Sequence, residues 1–120
     1  MDWSAYPNFD EREFRCRHCG RQEMKPEFMA KLQALRTAYG KPMSISSGYR
    51  CADHPIEKAK PSPGMHATGR AADIAVQGAE AVRVLQLALE HGFTGIGVQQ
   101  KGTGRFIHVD LREQPTIWSY

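Results

Sequence analysis

From Pro26 onward, Phe28, Met29, Leu32, Leu35 and Arg36 recur at the spacing of one helical face, and Gly40 with Pro42 stops the run. Proline in a first turn and glycine just past a last turn are the positions that suit each residue. A helix of that length with an apolar stripe needs a surface to cover it. The rest of the chain supplies short strands. Met43-Ser44-Ile45-Ser46 alternates and runs into Ser47-Gly48-Tyr49-Arg50, and Ala71 to Val76 reads as a second strand. Gly78 to His91 predicts a second helix with Ala81, Val82, Leu85 and Leu89 on one face and Gly92 at its end. Gly95 to Val98 and Arg105 to Leu111 flank the turn Lys101-Gly102-Thr103-Gly104 and read as a hairpin. Phe9 to Phe14 is a short opening segment, Cys16 to Gly20 a tight loop, and residues 51–70, with Pro55, Pro61, Pro63 and Gly64, an irregular loop. The expected plan is α+β: helices packed on a small, largely antiparallel sheet, one domain over residues 1–120.

Charge and hydropathy narrow the function classes. The longest apolar stretch, Ala79 to Leu89, is broken by Glu80, Arg83 and Gln86, so no membrane insertion is expected. The net charge of +3 favours anionic polymers, of which nucleic acid and the bacterial wall are two. Its basic residues (Arg12, Arg15, Arg17, Arg21, Lys58, Lys60, Arg70) are scattered rather than gathered on one recognition helix, which argues against nucleic acid. Met1 to Tyr6 shows no basic region followed by an apolar run, so the expectation is synthesis in the cytoplasm without a signal peptide. Three cysteines, an odd number, argue against a disulfide framework.

Metal-ligating residues fall at suggestive places. His66 lies in the glycine-bearing loop, Asp73 on the strand after it, and His108 midway along the last strand. Two imidazoles and a carboxylate suit zinc, and three protein ligands leave a fourth position open, the mark of a catalytic site. Spacing alone is weak evidence, since such pairs recur by chance and a lone strand histidine is more often a satisfied core group.

Motif order adds to this. Gly64-Met65-His66-Ala67-Thr68-Gly69-Arg70-Ala71-Ala72-Asp73 resembles the S-x-H-x-x-G-x-A-x-D motif of the zinc D-Ala-D-Ala carboxypeptidases and L-Ala-D-Glu endopeptidases, peptidase family M15. Ser47-Gly48-Tyr49-Arg50 upstream, Phe106-Ile107-His108-Val109-Asp110 downstream and the ending Trp118-Ser119-Tyr120 are similar to segments of that family, phage endolysin-like members included. The resemblance implies a Hedgehog/DD-peptidase-like fold, one catalytic Zn2+ on His66, Asp73 and His108, and Arg50 and Trp118 as substrate contacts. A guanidinium suits a substrate carboxylate because its fork pairs bidentately. Gly69 and Ala71 are expected to be small so that the backbone passes close beside the metal.

Two positions depart from the pattern. Gly64 replaces the family serine, and the positions where members carry a glutamate or histidine base are Arg105 and Phe106. On an extended strand Phe106, His108, Asp110 and Arg112 share a face. Asp110 is therefore the expected catalytic base, with the alternative that it holds a ligand imidazole from behind.

Cys16-x-x-Cys19 and Cys51-x-x-His54 form a second set with the spacing of a closed structural zinc, against the alternatives of buried reduced thiols, of Cys51 bonded to one of the pair, and of His54 belonging to the active-site loop. The expectation is a monomeric zinc metallopeptidase acting on peptidoglycan peptides in the cell wall after holin-type release. The alternative is a non-catalytic zinc-bearing wall-binding or phage structural module on the same fold.

Overall fold

The computed structural model describes residues Met1–Tyr120. Two short 3-10 turns open the chain, Trp3–Ala5 and Glu11–Phe14, the second held by a reciprocal cap between Asp10 and Glu13. Helix α1 (Pro26–Tyr39) follows, with Pro26 at its start and Gly40 in the left-handed conformation at φ 74° at its end. Strand β1 (Ser44–Ser47), helix α2 (Pro55–Lys58), a 3-10 turn (Met65–Thr68), strand β2 (Ala71–Ala75) and helix α3 (Gly78–Glu90) come next. The chain ends with strands β3 (Gly95–Gln99), β4 (Phe106–Asp110) and β5 (Thr116–Ser119). No helix is long and apolar enough to cross a membrane.

The five strands form one sheet in the order β1-β2-β4-β3-β5. Every pairing is antiparallel except β3 with β5, which is parallel. The α+β class and the expected β3–β4 hairpin are both present. Two elements were not anticipated. Helix α2 is a single turn inside the proline-rich loop, and β5 is a short strand from the tail that extends the sheet beside β3.

Alternation along the strands divides the sheet into two faces. One carries Ala72, Ile74, Ile96, Ile107 and Val109, which join Phe28, Met29, Leu32 and Leu35 of α1 in the apolar core. Those four helical side chains are completely buried, worth about 1.5–3 kcal/mol each against exposure. Helix α3 buries Ala81, Val84, Leu87 and Ala88, whereas Val82 and Leu89 stay 64% and 60% exposed. The expected face holds for Ala81, which is buried, and for Leu85, which packs half-buried against the core, but Val84, Leu87 and Ala88 take the buried places expected of Val82 and Leu89. The other sheet face carries Asp73, His108 and Asp110, with Gly95, Gly97 and Trp118 opposite them.

Candidate metal centre

Asp73 and His108 are direct partners across the antiparallel β2–β4 ladder, which fixes their side chains next to each other. His66 reaches the same point from the 3-10 turn before β2. Its Nδ1 lies 2.7 Å from the Gly48 carbonyl. A carbonyl only accepts, so Nδ1 carries the proton and Nε2 presents a lone pair. That Nε2 stands 3.2 Å from Asp73 Oδ1 and 3.2 Å from His108 Nδ1. His108 has the complementary arrangement: Nε2 donates to Asp110 Oδ2 at 2.7 Å, and Nδ1 faces Asp73 Oδ1 at 3.0 Å.

Three donor atoms thus converge with the other nitrogen of each ring already engaged. Ligands held tetrahedrally at about 2.0–2.1 Å from a zinc ion lie about 3.3 Å apart. The observed separations of 3.0–3.2 Å match that spacing closely. With no cation between them, a carboxylate oxygen and two imidazole lone pairs would repel, so the residues fit a metal by donor set, spacing and tautomer together. All three are buried. Burial pushes the His108 imidazole down, and the carboxylates of Asp110 and Asp73 beside it more than reverse this.

Charged groups hold the cluster from both sides. Arg50 reaches Asp73 Oδ2 at 3.3 Å, leaving Oδ1 for the centre, and also contacts Ser47 Oγ at 3.2 Å and Glu57 Oε2 at 3.1 Å. Glu57 is buried and accepts from the Gly64 N–H at 2.7 Å and Lys60 Nζ at 3.1 Å. Burial raises the Glu57 carboxyl, yet the Gly64 N–H, Lys60 and Arg50 keep it below its ordinary value. On the far side Arg112 binds the Asp110 carboxylate through its backbone N–H at 3.0 Å and through its guanidinium at 2.6 Å. Burial opposes ionisation of Asp110, but His108 and Arg112 bring its carboxyl to about 2.

Two glycines of β3 make this possible. A Cβ at Gly95 would lie 1.9 Å from Asp110 Oδ1, and one at Gly97 would lie 2.9 Å from Trp118 Nε1 and from the Tyr120 hydroxyl. Their absent side chains are the space that the Asp110 carboxylate and the Trp118–Tyr120 pair occupy. Gly69 has a different reason from the expected one. It takes φ +76°, and a Cβ there would meet the Glu23 carbonyl at 2.0 Å, so it packs on the backbone before α1 rather than beside the metal position.

A pocket of about 490 Å³ opens over the cluster, lined by Arg50, Ile56, Lys60, Gly64, Met65, His66, Asp73, Phe106, His108, Arg112, Trp118 and Tyr120. Trp118 forms one wall, with the Arg112 guanidinium 4.4 Å above its ring and the His108 ring 5.1 Å away. Burial raises the Tyr120 phenol above its ordinary value, so its hydroxyl remains a donor. Asp110 is not part of that lining. It is completely buried behind His108, on the ring edge opposite the metal-facing nitrogen. Alternation correctly puts it on the face of His108, but the geometry is that of a carboxylate holding an imidazole, not one facing the pocket. Arg105 turns away to the Gly102 carbonyl at 2.9 Å, and Phe106 is in the pocket wall.

Cys16, Cys19 and Cys51 are free thiols whose sulfurs lie within 4.8 Å of one another. His54 does not join them. Its Nδ1 accepts from the Ile56 N–H at 3.2 Å and caps α2, while His18 Nδ1 stands 3.4 Å from Cys51 Sγ. Sequence reading also missed Glu57, the anchor of Arg50. Its segment, Ile56-Glu57-Lys58-Ala59-Lys60, has the look of a solvated surface.

A family model described as Peptidase M15 matches residues 7–110, and the chain belongs to that family. No match was found among curated proteins.

Proposed function

We propose that this member of peptidase family M15 is a zinc enzyme that hydrolyses peptide bonds in the stem peptides of peptidoglycan. The observation that carries the reading is the triangle of His66 Nε2, Asp73 Oδ1 and His108 Nδ1, each with its outward atom already bonded elsewhere. A zinc ion held by these three residues would supply Lewis-acid chemistry for the attack of water on a peptide carbonyl.

The chain's own residues account for the rest. The Gly48 carbonyl and Asp110 set which nitrogen of His66 and of His108 is free, and Arg50 turns Asp73 so that one oxygen faces inward. Arg112, Lys60 and Arg50 line the pocket, while its one carboxylate, Asp73, is already engaged. That field favours an anionic peptide such as one ending in a D-alanine carboxylate. The protonated Tyr120 hydroxyl and the Arg112 guanidinium are the donors available to a developing oxyanion. Asp110 serves as a positioning residue for His108, and Trp118 as the wall against which substrate packs. The protein acts as a monomer on the wall after holin-type release.

One observation favours a second reading, a non-catalytic wall-binding or phage structural module. No free carboxylate faces the pocket, because Arg105 and Phe106 occupy the usual base positions and Asp110 is buried. Purified sacculi incubated with the protein, with and without chelator, separate the two. The enzyme releases new amino groups and muropeptides of altered mass, both abolished by chelator. The module binds and releases nothing.

A further inference from the structure

The N-terminal region has little to hold it. Before α1 it contains only two 3-10 turns, yet it must seat Phe14 against Gly48, whose carbonyl orients His66. The loop from Cys16 to Gly20 lies beside this contact and is folded tightly on itself. Gly20 N–H donates to the Cys16 carbonyl at 2.8 Å, Cys16 N–H donates to the Arg21 carbonyl at 2.7 Å, and Gly20 takes φ +78° to close the turn. The turn brings Cys16 and Cys19 to one end, and Cys51, the residue after Arg50, completes a triangle of sulfurs within 4.8 Å.

We propose that Cys16, Cys19, Cys51 and His18 bind a second zinc ion in a closed, structural site.

Four features support it. Sulfurs on a tetrahedral zinc lie about 3.8 Å apart, and a sulfur and an imidazole nitrogen about 3.6 Å apart. The three sulfurs lie within 4.8 Å of one another, a separation that can close to the first value, and His18 Nδ1 at 3.4 Å from Cys51 Sγ fits the second for that pair, so a turn of the His18 ring toward Cys16 and Cys19 completes the set. Backbone N–H groups of Cys51 and His18 point at Cys16 Sγ from 3.3 and 3.4 Å, an environment that favours the thiolate, the form that ligates metal. Three soft thiolates with one imidazole select zinc over the hard oxygen-seeking cations. Any disulfide among three cysteines leaves one over, whereas a four-ligand site uses all of them with His18.

The consequence reaches the pocket. Cys51 follows Arg50, whose N–H donates to the His66 carbonyl at 3.2 Å and whose guanidinium holds Asp73. A metal at Cys51 would tie the N-terminal loop to the segment carrying Arg50, so its loss loosens the pocket without removing a ligand from it. The assignment is independent of the proposed peptidase activity and concerns different ligands.

The test is metal analysis on the whole chain, with variants that separate the two sites. Wild type should hold about two zinc ions per chain, and the double variant His66→Ala/Asp73→Ala about one. Cobalt loaded into that double variant should show thiolate-to-metal charge-transfer absorption, and Cys16→Ser/Cys19→Ser should lose it. Because the serine variant could fail to fold, thiol titration of the native wild-type protein provides a second readout. All three thiols should be masked from a thiol reagent until chelator is added. His18→Ala should weaken the second zinc and His54→Ala should not. One zinc per chain that disappears with His66→Ala/Asp73→Ala overturns the proposal. So do thiols that react at once in the zinc-loaded protein, or two thiols that stay unreactive until a reductant is added.

Discussion

Changing Asp110 to asparagine separates orientation of a ligand from proton transfer. Asp110 is fully buried, accepts from His108 Nε2 at 2.7 Å, and accepts from Arg112 through its backbone N–H at 3.0 Å and its guanidinium at 2.6 Å. Asparagine keeps the shape but has one acceptor oxygen and an amide that donates. Arg112 has only donors and claims the oxygen, so the amide turns its N–H toward His108 Nε2. The imidazole answers by moving its proton to Nδ1, the nitrogen 3.0 Å from Asp73 Oδ1, where a metal must displace it. Loss of such a supporting carboxylate costs about 10–100-fold in metal affinity, or roughly 1.4–2.7 kcal/mol. Competition against a chromogenic chelator, read on the site that His66→Ala abolishes, measures this. At saturating zinc, kcat should stay within about tenfold of wild type. Unchanged zinc affinity with kcat reduced by about 10² or more would refute the reasoning and make Asp110 the base.

Three further perturbations follow from the same geometry. Glu57→Gln removes a buried charge that anchors Arg50, Lys60 and the Gly64 N–H, and should cost about 2–4 kcal/mol in urea unfolding at neutral pH. The folded carboxyl titrates below its ordinary 4.5, so its stabilisation is full above that value and is lost as pH falls through the folded value. The gap between wild type and Glu57→Gln should therefore be constant near neutral pH and narrow as pH falls below 4.5, and a gap that never narrows contradicts the assignment. Gly95→Ala places a Cβ 1.9 Å from Asp110 Oδ1, so it should destabilise by about 1–3 kcal/mol and weaken zinc together. Gly104→Ala, which meets nothing within 4 Å, is the control for thermal melting and should stay within about 0.5 kcal/mol. Trp118→Ala removes the ring beneath Arg112 and should raise KM more than it lowers kcat, whereas an unchanged KM removes Trp118 from the substrate wall.

Long periodic segments and local turn chemistry were readable from the sequence. Helix α1 has its proline, glycine and apolar stripe in the expected places, and β2 and β4 follow from runs of apolar residues. Elements that depend on distant partners were not. Strand β5 has only four residues, all exposed except the half-buried Trp118, and exists because the free edge of β3 accepts it in parallel. In α3 apolar residues cover more than one face of the helix, and packing in the fold decides that Val84 and Leu87 are buried while Val82 and Leu89 are not. The site divides the same way. Motif order brings His66, Asp73 and His108 into view, and strand alternation places Asp110 beside His108. Which nitrogen Asp110 touches depends on ring orientation, which spacing does not encode. Linear spacing also points to His54 as the partner of the cysteines, whereas the loop fold presents His18. The nearest sequence signal for the space around Asp110 and Trp118 was Gly95-Ile96-Gly97, where two glycines recur on one strand face.

The central claim is that His66, Asp73 and His108 hold the metal on which wall hydrolysis depends. Metal-free protein titrated with zinc, while amino groups released from purified sacculi are counted, tests it most directly. Metal-free protein should release none, release should grow with zinc until the site removed by Asp73→Asn is filled, and Asp73→Asn should release none at any zinc concentration. Release that persists in metal-free protein, or in Asp73→Asn, would contradict it.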